Sequence, residues 1–150
     1  MKIQKLTLKE LETVEVDGEF EARYVNAKAY PIFLTNSAVQ KGYQLGYLTS
    51  SLISDLVKML PYIQSGNEME MIGQIDETKM IRTIYLAFSG ANKKEDLSFE
   101  EFIELYHLDF TETVTLFANI IADTVSNNNN FAKGLQQSTK NEKKNSNLPS

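Results

Sequence analysis

The chain has 150 residues, 42% of them apolar and 23% charged, which is enough for one domain with its own core. It carries a net −5, but residues 1–125 hold 11 Lys/Arg against 19 Asp/Glu, while residues 126–150 hold four Lys against one Glu; an acidic body repels phosphate backbones, so nucleic acid is not expected as its partner. The absence of cysteine excludes disulfides, thiolate zinc sites and a cysteine nucleophile, no run approaches the roughly 20 apolar residues of a membrane span, and the opening MKIQKLTLKELE turns charged before an apolar run develops, unlike a signal peptide.

Residues 2–8 alternate imperfectly through Ile3, Leu6 and Leu8. Residues 13–25 predict a β-hairpin around Asp17-Gly18, a pair that supplies the positive φ of a two-residue turn. Val14 and Val16 fall on one face, and Phe20, Ala22 and Tyr24 share a face of the returning strand. A lone hairpin is marginal, so it should pack on helices or another strand. Pro31 blocks a helix through Tyr30 and opens a connection over residues 31–34.

A first helix, capped by Asn36 or Ser37, is expected to run to about Gly46 and to pack through Ala38, Val39, Tyr43 and Leu45, weakened by Gly42 and Gly46. A second begins at Thr49 or Ser50 with the stripe Leu52, Ile53, Leu56, Val57, Leu60 and Ile63, and Pro61 ends or kinks it. Residues 67–75 read as a connection in which Met69, Met71 and Ile72 form a short turn of helix. Asp76 caps a third helix with Met80, Ile81, Ile84, Tyr85 and Phe88 inward, stopped by Ser89-Gly90-Ala91-Asn92. Ser98 with Glu101 forms a capping box for a fourth, lined by Phe99, Phe102, Ile103 and Tyr106. Asp109 with Glu112 repeats the device for a fifth, with Val114, Phe117, Ile120, Ile121 and Val125 apolar. The expected fold is mainly α with a small N-terminal β-hairpin, an α+β domain over residues 1–125 (β-rich 1–34, helical 36–125) holding a compact bundle of about five short helices. Residues 126–150 are polar, Asn-rich and basic, and read as a disordered tail.

Catalytic chemistry is sparse. Residues 94–102 have the outline of the exit half of an EF-hand, but Gly90, Lys94 and Glu95 stand where calcium ligands and the turn glycine are needed. His107 is the single histidine and sits at a predicted helix end; a zinc site cannot be built from it alone. The acidic pairs Asp76/Glu77 and Glu100/Glu101 open helices, where the dipole favours them. The aromatics are numerous for so small a helical body, and an under-covered face among them would mark a protein-binding groove.

The run Met80-Ile81-Arg82-Thr83-Ile84-Tyr85-Leu86-Ala87-Phe88-Ser89-Gly90-Ala91-Asn92, followed by Leu97-Ser98-Phe99-Glu100-Glu101-Phe102, Asp109 and an apolar last helix, resembles the tail assembly chaperones of long-tailed phages of Gram-positive bacteria, most of all the lactococcal phage members. The match covers about 50 residues; the β-rich start and Leu-rich helix agree in outline. The resemblance implies a non-enzymatic chaperone without cofactor. It would bind the tape measure protein, a long apolar helical client, in the host cytoplasm, hold it in solution during tail morphogenesis, and be absent from the mature virion. Because such a client is repetitive and elongated, open head-to-tail self-association would suit it better than a closed dimer; the resemblance also implies a frameshifted longer form that would reach the major tail protein. The client groove would lie between the helices at 76–89, 98–107 and 110–125, lined by Ile81, Tyr85, Phe88, Phe99, Phe102, Tyr106, Phe117 and Ile121. The competing reading is a small bacterial adaptor or regulatory domain that takes one partner helix.

Overall fold

Two long strands open the chain. β1 (Gln4–Val16) and β2 (Glu19–Ile32) form an antiparallel hairpin in the computed structural model, which describes residues 3–49, 51–66 and 76–127. The turn is as expected: Asp17 (φ 53°) and Gly18 (φ 82°) both have positive φ, the requirement of the two-residue turn that matches strand twist. The strands are about twice as long as the sequence suggests, for two reasons. Leu6 and Leu8 pair with Tyr30 and Lys28 and, with Ile32, close onto the helices. The register then slips at a bulge where Asn26 and Ala27 oppose Lys9, with Asn26 at φ 52°.

Pro31 continues β2 instead of opening a connection. Its carbonyl accepts a 2.8 Å hydrogen bond from Asn92 Nδ2 and so points away from β1. The missing N–H therefore falls on the sheet edge, where a ladder does not need it. Only the base of the hairpin is buried; residues 10–27 contain no buried side chain. The expectation that the hairpin packs on helices holds for the base and fails for the arm. In the arm, Leu11 pairs with Tyr24, Thr13 with Ala22 and Glu15 with Phe20, so Leu11, Phe20, Ala22 and Tyr24 share one face and Val14 and Val16 occupy the other.

Five helices follow among the described residues: α1 (Asn36–Gln44), α2 (Leu52–Ser65), α3 (Glu77–Ala91), α4 (Phe99–Leu105) and α5 (Phe110–Asn127). The mainly helical α+β fold is as expected. The caps at α3, α4 and α5 stand where the sequence puts them. Asp76 Oδ1 accepts from Thr78 N at 2.9 Å. Ser98 and Glu101 cap each other at 3.1 Å both ways. Asp109 Oδ1 accepts from Glu112 N at 2.8 Å, with a longer return bond of 3.4 Å. The caps of α1 and α2 are each shifted by a residue, to Thr35 and Ser51. Ser50, residues 67–75 with Met69, Met71 and Ile72, the side chains of Ile63 and Val125, and residues 128–150 lie outside the described residues. α5 runs to Asn127, two residues into the segment read as tail.

The glycines behave differently from punctuation. Gly42 is buried in α1, and a Cβ there would stand 2.6 Å from Leu86 Cδ1 and 2.8 Å from Leu48 Cδ1. Gly90 lies inside α3, where a Cβ would meet Thr35 Oγ1 at 3.2 Å and Ala38 Cβ at 3.3 Å. Ala38, Gly42 and Gly90 therefore let α1 and α3 approach closely. The helix stop passes to Asn92, whose N–H and Nδ2 both reach the Phe88 carbonyl, at 2.9 Å each. Tyr43 and Leu45, expected to pack, are exposed because the buried side of α1 is its small-residue side.

α2 is rotated from its expected phase. Leu52, Asp55 and Met59 are buried and Leu56 is partly so, whereas Val57 and Leu60 face outward. On that buried side Asp55 meets Lys79 of α3, beside Leu52 and Met59. Pro61 does not end the helix, which continues to Ser65 and stops at Gly66 (φ 71°); the carbonyl that the proline leaves without a donor belongs to exposed Val57.

Gly42→Ala should lower stability by about 1–3 kcal/mol, the clash with two buried leucines outweighing the gain in helix propensity; an unchanged or raised denaturant midpoint would show that the core gives way freely. Asp55→Ala, which removes the carboxylate from beside a largely buried Lys79, should cost about 2 kcal/mol in the same measurement, and a loss within error would mean that the pair contributes nothing to holding α2 on α3.

Candidate partner-binding surface

The eight residues expected to line a groove are brought together, but mostly inward. Phe88, Phe102 and Phe117 are 0% exposed, Ile121 is 2% and Tyr106 9%. Ile81, Tyr85 and Phe99 are partly covered and pack against the same core. The rings form a continuous ladder. Tyr30 of the hairpin meets Phe88 at 5.1 Å, Phe88 meets Phe102 at 5.3 Å, and Phe102 touches Tyr106 at 5.6 Å and Tyr85 at 5.3 Å. Tyr85 and Tyr47 both meet Phe99, at 5.4 and 5.6 Å. Centroid separations in this range are those of favourable edge and tilted pairs. The two buried-side tyrosines are satisfied within the fold: Tyr85 Oη donates to the Leu97 carbonyl at 2.7 Å, and the Tyr106 hydroxyl pairs with Thr113 Oγ1 at 2.8 Å. The Arg82 guanidinium lies over the Tyr47 ring at 5.0 Å. The expected trough between α3, α4 and α5 is therefore filled, in a single copy, by the side chains that were to line it.

Three other features face outward. The first is a stripe on α2, Ile53, Val57 and Leu60, spaced i, i+4, i+7, with Val57 59% and Leu60 43% exposed. The second is the hairpin arm, whose apolar face ends in Phe20, 76% exposed. The third is a depression of about 190 Å³ between α1 and α3, lined by Ala38, Leu86 and Gly90 together with the polar Thr35, Ser37, Ser89, Lys41 and Lys93. None of these was singled out from sequence as a binding surface. The α2 stripe could have been found by testing the helix for two apolar phases one residue apart; the depression leaves no sequence signature.

The titratable groups have structural explanations. The exposed Glu101 carboxyl is held below the usual carboxylate range by the Ser98 backbone amide and, secondarily, its hydroxyl. His107 follows α4 and stacks on Tyr24 of the arm at 5.0 Å, its Nε2 buried without a hydrogen-bond partner among the described residues. Those residues contain no cluster of three or more His, Cys, Asp or Glu able to hold a metal, and no helix long and apolar enough to cross a membrane. Set against protein-family profiles, curated proteins and solved structures, the chain matches none.

Burial pushes the Tyr106 hydroxyl up to about 12, with the Thr113 hydrogen bond acting in the opposite direction. The folded state thus keeps a proton that the unfolded chain releases near pH 10. Stability from this group is intact below pH 10 and is lost as pH rises from 10 through 12, by roughly 2–3 kcal/mol in all. Tyr106→Phe should remove that part of the alkaline slope; a variant as alkali-sensitive as the parent would show that Tyr106 is not its source.

Proposed function

We propose that this chain is a non-enzymatic chaperone that keeps an apolar helical client in solution, and that the client is the tape measure protein of a long-tailed phage, held in the host cytoplasm before the tail is complete. The observation that carries the reading is the α2 stripe. Ile53, Val57 and Leu60 run over two turns, about 10 Å of helix, and Val57 and Leu60 are exposed to water. An apolar ridge of this spacing receives the a/d-like edge of a partner helix. The resemblance of residues 80–102 supplies the identity of the client. The excess acid of residues 1–125 supports the same role, since coated complexes of like charge repel one another. The client surface is thus α2 in place of the α3–α5 trough.

A two-turn stripe would equally serve an adaptor that takes one partner helix, and stoichiometry separates the readings: many copies per client chain for the chaperone, one for the adaptor. The test is co-expression with a candidate tape measure protein. The parent chain should hold the client in the soluble fraction and co-purify in several copies. Val57→Asp with Leu60→Asp should send most of the client to the pellet while leaving the chaperone's melting temperature within a few degrees, because both side chains are exposed. A client insoluble even with the parent chain removes the reading. A double variant that still holds the client, beside a Phe99→Ala variant that does not, returns the site to the rim of the aromatic ladder.

A further inference from the structure

We infer that the basic segment 128–150 docks on the acidic hairpin arm of the same molecule, along the face that carries Val14 and Val16. The contact lies within one chain and does not depend on the client proposed above. The arm is short of cations. Residues 10–25 carry six acidic side chains against one arginine, Arg23, and Glu12 already holds that arginine at 2.7 Å. Alternation along β1 puts Glu10 and Glu12 on the same face as Val14 and Val16, and the pairing sets Glu21 and Glu19 opposite the two valines. The face is therefore an apolar strip bordered by carboxylates. It lies in water: Val16 is 44% exposed, and no side chain from 10 to 27 is buried.

Residues 128–150 complement it. They hold Lys133, Lys140, Lys143 and Lys144 against Glu142, with Phe131 and Leu135 as apolar anchors. α5 leads into them, and its Asp123 accepts a hydrogen bond from Gln4 Nε2 at the base of β1. The helix ends at Asn127, about 6 Å further on. Gln4 shares the parity of Leu6, Leu8 and Glu10, and the bulge adds its extra residue to β2, so that parity runs unbroken along β1 from base to arm. The chain thus leaves α5 beside the start of the face. The 23 residues of 128–150 reach at most about 75 Å, against about 40 Å from Gln4 to Val16. The other exposed apolar strip, on α2, offers no excess of acid: that helix holds one aspartate, paired with Lys79, and one lysine.

Each exposed ion pair contributes little, but the tether keeps the lysines at an effective concentration in about the millimolar range. The contact has no need of a fixed register and is screened by salt. Docked, the segment supplies the cations that the arm lacks and shields the open edges of the hairpin. Any partner for the arm has to displace it first.

The experiment uses the full chain, isotope-labelled for amide spectra. The absence of cysteine lets Thr139→Cys carry a single nitroxide. At about 0.01 M salt, where charges act over about 30 Å, amides of residues 10–25 should lose more than half their intensity relative to the reduced label. At about 1 M salt the loss should vanish. Glutamate at all four lysine positions should abolish it, as should Glu10→Lys with Glu19→Lys and Glu21→Lys, and the two sets combined should restore it, because the charges are then exchanged. All these positions on the arm are exposed, so the fold is kept. Intact arm signals, a loss that survives high salt, or exchanged charges that fail to restore it overturn the docking. Signal loss centred on residues 52–65 overturns it too and assigns the segment to the α2 stripe. An equal loss when the nitroxide and the isotope are on different chains overturns it in favour of a contact between copies.

Discussion

Helix α3 has to be wrapped. Met80, Thr83, Ile84, Leu86, Ala87 and Phe88 are all buried, and they point in too many directions for one neighbour to cover. α5 and α4 take one side and the base of the hairpin supplies Tyr30 and Ile32. α1 packs tightly against it, because Ala38, Gly42 and Gly90 remove the side chains that would hold it away. Once these elements are placed, the aromatic ladder through Phe88 and Phe102 closes without a gap for a foreign helix. Burial of α3 therefore decides where a partner cannot bind: the residues with the largest apolar area are already committed to the chain's own interior.

This constraint explains which parts of the molecule were legible in the sequence. The caps at Asp76, Ser98 with Glu101, and Asp109 with Glu112, and the turn at Asp17-Gly18, depend on atoms two or three residues apart, so the local sequence contains the whole interaction. The length of the hairpin was not legible, since the bulge at Asn26 shifts the side-chain alternation of β2 by one and only pairing with Leu6 and Leu8 restores it. Gly42 and Gly90 look like helix breakers in one dimension and are contact points in three. The phase of α2 was ambiguous because its apolar residues fill two adjacent stripes, and the buried one carries Asp55, whose partner Lys79 lies 24 positions away. The eight groove residues gather around α3 and five of them are buried, because amphipathic spacing marks a buried face without saying whether the chain or a partner buries it.

What remains outside the wrapped body is consequently sparse and specific. An exposed two-stranded arm offers unpaired backbone on both edges, and a long apolar one would invite indiscriminate strand pairing. This arm is protected by charge. Glu10, Glu12, Glu15, Asp17, Glu19 and Glu21 crowd its outer part, and the Arg23–Glu12 bridge, at 2.7 Å, covers one cross-strand pair.

The two outward apolar features differ in a way that bears on mechanism. The α2 stripe is a flat ridge on a rigid helix, tied down by the Asp55–Lys79 pair and by Met59 beneath it; it suits a long, repetitive helix because its demands on sequence are small. Phe20 is a single ring on a long lever that meets the body near its base, where Tyr24 rests on His107. On the proposed reading, a client bound through so undemanding a ridge would let one short chain coat a partner of any length.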